Sequence, residues 1–183
     1  MIRRATLDDL QPIIRVLSHY NFQPLKIEDG HIIDVNGGEI LSVYNEVSFL
    51  DVDDGFVAEF EGRIVGFSHF KKLKEGSAKT TLLSVNPEYR KHGFGKDLQI
   101  ARMRAAIDRG FKDLITFCDN EKAVNWYIKH FGYEKIGNDS NHHRIHFIGK
   151  GKIGVWGVHY GLQGCDEVTI LRCDLDKYFK GWD

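Results

Sequence analysis

The run Arg90-Lys91-His92-Gly93-Phe94-Gly95-Lys96 has the composition of a turn that can hold an anion. Without a Cβ at Gly93 and Gly95 the backbone can turn in ways closed to other residues and approach a pyrophosphate closely, while Lys91 and Lys96 add positive charge. The run falls between an expected strand and an expected helix, where the N–H groups of the first helical turn favour a negative ligand. The same composition also makes an ordinary strand-to-helix turn, and the run alone does not choose between the two. It lacks the G-K-[ST] ending of a nucleotide P-loop. It also lacks the third glycine, and the early place in a repeated strand–helix unit, that a dinucleotide fold uses.

Other chemistry-bearing residues are less organised. Asn120 and Tyr127 follow the glycine run at a distance; taken singly, Asn120 suits a helix cap and Tyr127 suits a core. His142, His143 and His146 cluster at the start of an expected strand without a matching cysteine or carboxylate pattern, so no metal site is expected. Cys118, Cys165 and Cys173 are an odd set with no C-x-x-C spacing, which suggests neither a disulfide framework nor a zinc ribbon. Between Ile27 and Asp54 lie Glu28, Asp29, Asp34, Glu39, Glu46, Asp51, Asp53 and Asp54 with no lysine or arginine. Such an arm is either a solvated face or an attractor for a cationic partner such as a polyamine, aminoglycoside or lysine-bearing peptide.

The elements that must position these residues follow from periodicity. A short strand, Ile2 to Ala5, leads into a helix capped by Thr6, with Asp8 and Asp9 in its first turn and Leu10, Ile13, Ile14 and Leu17 as its apolar stripe. Phe56–Phe60 and Arg63–Phe70 read as a hairpin turned at Glu61-Gly62. After a polar loop, Lys71 to Ser77, a strand runs from Lys79 to Val85 and ends at Asn86-Pro87. The glycine run then opens a helix carrying Leu98, Ala101, Ala105 and Ile107, stopped by Gly110. A strand over Leu114–Cys118 and a helix over Lys122–Phe131, stopped by Gly132, follow. Beyond Tyr133 the pattern is strands: Arg144–Ile148, Ile153–His159 and Val168–Cys173. This order implies a mixed α/β sheet with helices packed on it.

At 183 residues the chain fits one domain. A net charge of −1 argues against bulk phosphate attraction, so no nucleic-acid partner is expected. No apolar run reaches the roughly 18 residues of a membrane helix, and the amino terminus has no secretory pattern. The expectation is a cytoplasmic protein with no membrane partner.

The block from Leu83 to Tyr133 resembles the GNAT superfamily of acyl-coenzyme A N-acyltransferases. Leu83-Ser84-Val85-Asn86-Pro87-Glu88-Tyr89-Arg90 is similar to its L-x-V-x-P-x-x-R strand end, and Arg90 to Gly95 to its R-x-x-G-x-G loop. Asn120, Ala123, Tyr127 and Phe131-Gly132-Tyr133 resemble its N-x-x-A-x-x-x-Y-x-x-x-G-F/Y segment. Upstream, Arg3-Arg4-Ala5-Thr6 with Asp9-Leu10, and Phe56-Val57-Ala58 with Gly62 to Phe67, resemble the first strand and central hairpin.

The resemblance implies a mostly antiparallel central sheet flanked by helices, with residues 1–137 as the family core and 138–183 as a strand-rich extension. It implies acetyl-coenzyme A as co-substrate. Leu83, Ser84 and Val85 would lie along the pantetheine arm, and Arg90, Lys91, His92, Gly93, Phe94, Gly95 and Lys96 would bind the pyrophosphate. Asn120 would contact the pantetheine or acyl end. Tyr127 would sit near the thioester sulfur as the catalytic acid, with a backbone N–H, that of Val85, stabilising the oxyanion. The acceptor would be a small-molecule or protein amine, and the general base is unassigned. Trp156, His159, Tyr160 and Trp182 supply aromatic surface to cover the acceptor site or form a homodimer contact, the alternative being an extra hairpin that closes the sheet. The competing functions are a non-catalytic acyl-coenzyme A sensor and an interaction domain with an empty loop.

Overall fold

A computed structural model describes residues 1–19, 26–28, 31–33, 46–140, 143–150, 153–161 and 167–181; for 26–28, 31–33, 46–48, 143–147, 150 and 153–161 it describes the backbone alone. Asp29, Asp34 and Glu39 of the acidic arm, and His142, Cys165 and Trp182, lie outside the described residues, as do the side chains of His143, His146, Trp156, His159 and Tyr160.

The chain opens with β1 (Ile2–Arg4) and α1 (Leu10–Leu17), followed by the short strands β2 (Lys26–Glu28) and β3 (His31–Ile33) and by β4 (Glu46–Asp51). Then come β5 (Gly55–Phe60), β6 (Arg63–Lys74) and β7 (Ser77–Val85), the helix α2 (Phe94–Asp108), β8 (Asp113–Cys118) and the helix α3 (Glu121–Phe131). The remainder is β9 (Glu134–Asp139), β10 (His143–Lys150), β11 (Ile153–Gly161), β12 (Val168–Asp174) and α4 (Leu175–Lys180). The main sheet runs β1-β5-β6-β7-β8-β12-β9, and β11-β10-β4 form a second. Within the main sheet β7 and β8 pair in parallel and the other pairs are antiparallel.

Successive residues of β5 serve two cores, because side chains alternate across a strand. Phe56 and Ala58 join a cluster with Leu98, Met103 and Phe131, under α2 and α3, while Val57 joins Ile13, Leu17, Phe67 and Leu82, under α1. Arg3 clamps the amino-terminal corner: it donates to both carboxylate oxygens of Asp9, at 2.7 and 2.8 Å, and to Glu59 at 3.1 Å. That guanidinium holds the Asp9 carboxyl below its usual range. At Gly66 an added Cβ would lie 2.9 Å from Leu98 Cδ1 and 3.2 Å from the Ser84 carbonyl, so α2 packs against the sheet where β6 has no side chain.

The expected hairpin turn is present, with Glu61 and Gly62 both left-handed at φ 48° and 71°. The expected polar loop over Lys71–Ser77 is instead ladder. β6 continues through Lys74 and turns at Gly76, φ 72°, into β7. The paired backbone satisfies its own hydrogen bonds, so exposed Lys72 and Lys74 extend the strand without needing a core beneath them. The carboxyl-terminal reading as strands omitted α4, which Asp174 caps by accepting from the Lys177 N–H at 2.9 Å. β12 is inserted between β8 and β9, which makes a carboxyl-terminal strand part of the central sheet.

His69, fully enclosed on β6, bonds the Asp51 carbonyl through Nε2 at 3.0 Å and the Thr81 hydroxyl through Nδ1 at 2.8 Å. A carbonyl only accepts, so Nε2 carries the hydrogen and Nδ1 accepts from Thr81. Burial pushes the imidazole down to about 4 from an unfolded value near 6.5. Its contribution is therefore complete above pH 6.5 and disappears as pH falls through about 4. Urea unfolding should show wild type losing about 3 kcal/mol more than His69→Gln over that window, at about 1.4 kcal/mol per pH unit.

Candidate active site

The site exists because β7 and β8 part company. They pair at Ser77 with Asp113, Ala78 with Leu114 and Lys79 with Ile115, and no further. β7 continues to Val85 on β6 alone. The register fixes which backbone groups face the opening. The Asn86 N–H donates to the Val65 carbonyl at 2.8 Å, so the pairs of Val85 with Gly66 and of Leu83 with Ser68 are non-hydrogen-bonded ones. The N–H and C=O of Leu83 and Val85 consequently point away from β6, into the opening. Ser84 sits in the alternate position: its backbone groups face β6, and its buried hydroxyl has no hydrogen-bond partner among the described residues.

Thr81 is an additional residue in β7, because His69 pairs with Leu82 while Phe70 pairs with Thr80. Below this bulge lies a cavity of about 240 Å³ lined by Thr80, Thr81, Leu83, Arg102, Thr116, Asn120 and Tyr127 among others. Leu83 and Ala123 are shared with a groove of about 540 Å³ that runs past Val85 to the glycine loop. The groove carries Arg90, Lys91, Lys96 and Lys122, and no carboxylate among the described residues lines it.

The expected unusual turn occurs at Gly93 but not at Gly95, which lies in the first turn of α2. Lys91 and Gly93 are left-handed, at φ 67° and 88°, and α2 begins at Phe94. The first intrahelical acceptor is the Gly93 carbonyl, taken by Asp97 N–H at 3.0 Å, which leaves the earlier N–H groups of the first turn outside the helix ladder. Phe60 anchors the loop, with its ring 5.8 Å from both Tyr89 and Phe94 in edge-to-face contact. Arg90 Nε donates to the Val85 carbonyl at 3.4 Å. His92 is exposed, with Nδ1 2.9 Å from the Arg90 carbonyl.

Asn120 caps α3, its Oδ1 accepting from the Ala123 N–H at 2.8 Å, and it also lines the cavity, so its two readings are compatible. Tyr127 points from α3 into the same space while remaining 7% exposed. Its hydroxyl accepts from Arg102 Nη2 at 2.7 Å. Burial raises the phenol's pKa and the guanidinium opposes that rise.

Arg102 and Gln99 were missed by the sequence reading. The expected stripe on α2 named Ala101 and Ile107, which are half-buried, whereas Gln99 and Arg102 are fully buried beside Leu98 and Met103. The available signal was two polar residues, three apart, on the face that Leu98, Met103 and Ala106 share. Lys122 and Trp126 were missed as groove residues; one turn apart on α3, they face the glycine loop. The Glu59 carboxylate on β5 is held by Arg3.

The acetyltransferase (GNAT) family model matches residues 30–133. A mycothiol acetyltransferase from Saccharomonospora viridis is 32% identical over 104 residues, 50% of this chain and 33% of that protein. The chain thus spans about a third of the length of the curated relative it matches. Ard1 from Thermoplasma volcanium superposes with a TM-score of 0.61 at 16% identity, over 94% of this chain and 95% of that one. An N-acetyltransferase from Staphylococcus aureus Mu50 gives 0.61 at 17%, over 96% and 98%. Rv2747 from Mycobacterium tuberculosis, solved in complex with CoA and NLQ, gives 0.54 at 18%, over 75% and 73%. At these identities the structural likeness is one of fold.

Burial pushes the thiols of Cys118 and Cys173 up to about 12, so neither is a nucleophile at neutral pH. In a Cys165→Ser protein, iodoacetamide at pH 7.5 is expected to leave both unlabelled until denaturant is added, as read by intact mass.

Proposed function

The chain belongs to the acetyltransferase (GNAT) family, and from that premise we propose that it transfers an acetyl group from acetyl-coenzyme A directly to an amine. The parted strands carry this reading most strongly: an edge of β7 offers alternate backbone groups beside a cationic groove. The Leu83 and Val85 edge fits a pantetheine arm, whose amides can pair with a strand as another strand would. The N–H groups after Gly93, with Lys91 and Lys96, fit a pyrophosphate. Arg90 acts from beneath, through the Val85 carbonyl.

Bound acetyl-coenzyme A supplies an activated carbonyl and a thiolate leaving group. Asn120 holds the start of α3 at the cavity mouth, and Tyr127 offers its proton to the departing sulfur. The Val85 N–H, facing the opening, is suited to a developing oxyanion. The acceptor approaches as a free amine, from a small molecule or a protein, and the carboxylates of Asp51 and Asp53 at the end of β4 favour a cationic one, while Asp54 is paired with Arg109. Working in the cytoplasm and pairing as a homodimer through the carboxyl-terminal strands are part of the same proposal.

Calorimetric titration with acetyl-coenzyme A is expected to give micromolar binding. In Gly93→Val it should weaken by at least about tenfold, while left-handed strain lowers stability by about 1–2 kcal/mol. A well-folded wild type that binds no acetyl-coenzyme A would overturn the acetyltransferase reading in favour of an interaction domain.

A further inference from the structure

Arg102 is a cation with 0% exposure, and no carboxylate bonds it among the described residues. Burying a charge unpaired costs several kcal/mol unless its hydrogens are satisfied. Each arm of the guanidinium has a neutral acceptor: Nε donates to Gln99 Oε1 at 2.6 Å, Nη1 to the Leu82 carbonyl at 2.8 Å and the His69 carbonyl at 3.4 Å, and Nη2 to the Tyr127 hydroxyl at 2.7 Å. Leu82 and His69 are the pair beside the Thr81 bulge, so one side chain ties the distorted part of β7 to the phenol across the cavity. An apolar side chain here would avoid that burial cost but would remove the donor from the Leu82 and His69 carbonyls and from the Tyr127 hydroxyl.

We propose, on the basis of the acetyltransferase reading, that Arg102 is a positioning residue for Tyr127, holding the phenol oxygen from behind so that its hydrogen is presented to the leaving sulfur. A hydroxyl has one hydrogen and two acceptor sites. Arg102 takes one acceptor site. The Thr80 and Thr116 hydroxyls, hydrogen-bonded to one another, line the same cavity. The guanidinium offers no acceptor, so the phenolic hydrogen turns away from it, toward the cavity that Tyr127 lines.

The chemical step then balances. The amine nitrogen forms a bond to the acyl carbon, the carbon–sulfur bond breaks with its electron pair on sulfur, and the Tyr127 proton passes to that sulfur. The phenolate so formed lies against a fixed positive charge and regains a proton released by the amine through solvent. The groups facing the phenol are Arg102 from α2, Cys118 and Thr116 from β8, and Tyr133, whose ring is 5.0 Å away and whose hydroxyl accepts from Gln99 Nε2 at 3.0 Å. Of these, Arg102 alone is charged at neutral pH. It draws the phenol's pKa down against the effect of burial.

The test measures thiol release from acetyl-coenzyme A with the most active amine from a panel of spermidine, kanamycin and an alanine-initiated peptide. Arg102→Lys and Arg102→Met are each made in the wild-type and Tyr127→Phe proteins, with thermal unfolding recorded for all. Arg102→Met should lower kcat by about 10²-fold, the scale of a lost general acid, with KM for acetyl-coenzyme A changed less than about threefold. Arg102→Lys should recover about tenfold of that loss, remaining about tenfold below wild type, and in the Tyr127→Phe background neither change should cost more than about threefold. Equal losses in both backgrounds, or full activity in a folded Arg102→Lys or Arg102→Met protein, would overturn the proposal. If Arg102→Met does not fold, the Arg102→Lys pair decides by the same criterion. A wild type inactive on the whole panel overturns the transfer reading itself, and this inference with it.

Discussion

Two parallel strands that begin paired and then separate leave a row of backbone groups with no strand to meet them, and the structure is organised around that separation. β7 and β8 share a ladder only from Ser77 to Lys79. Beyond it, β7 is held on one side by β6, and its other edge opens onto a cavity and a groove. Unpaired backbone is tolerated where a ligand or a buried donor can satisfy it. Here Arg102 supplies donors at the bulge and Arg90 one to the Val85 carbonyl, and the edge proposed for the cofactor runs from Leu83 to Val85. The remaining architecture fixes the two walls of the opening: α2 packs close over Gly66, and β12 backs β8 on its far side.

Electrostatics divide the opening in two. Toward the glycine loop it is cationic and exposed, with lysines from two helices and the loop between strand and helix. Toward the bulge it is narrower and carries Arg102 and the exposed Asp119, with threonine hydroxyls, a phenol and, behind Thr81, an imidazole kept uncharged by burial. A charged nucleotide end and a small acyl end call for those two environments. The two buried cysteines described are too weakly acidic to compete as nucleophiles, which fits transfer without a covalent intermediate.

Much of the site was legible in the residues because it depends on local backbone chemistry. Gly93 predicted a left-handed turn, Asn120 a cap, Gly132 a left-handed helix end and Glu61-Gly62 a tight hairpin, and each reports on a few neighbouring dihedrals. The less legible parts depend on distant partners. Nothing near Val168 says that its strand inserts between β8 and β9, since any half-buried strand would carry the same alternation. Gln99 and Arg102 read as solvent-facing because polar residues on a helix usually are. Their burial makes sense only once the bulge carbonyls of β6 and β7 and the Tyr127 hydroxyl are brought to meet them. Lys72 and Lys74 misled in the opposite sense, since ladder pairing outweighed their polarity.

The central claim is that the freed edge of β7 receives the cofactor as an added strand. Amide hydrogen exchange resolved at single residues, with and without saturating coenzyme A, tests it most directly. The account predicts slowed exchange at Leu83 and Val85 and in the first turn of α2, with Ser84, already facing β6, unchanged. Coenzyme A binding that protects other regions and leaves Leu83 and Val85 exchanging as before would contradict it.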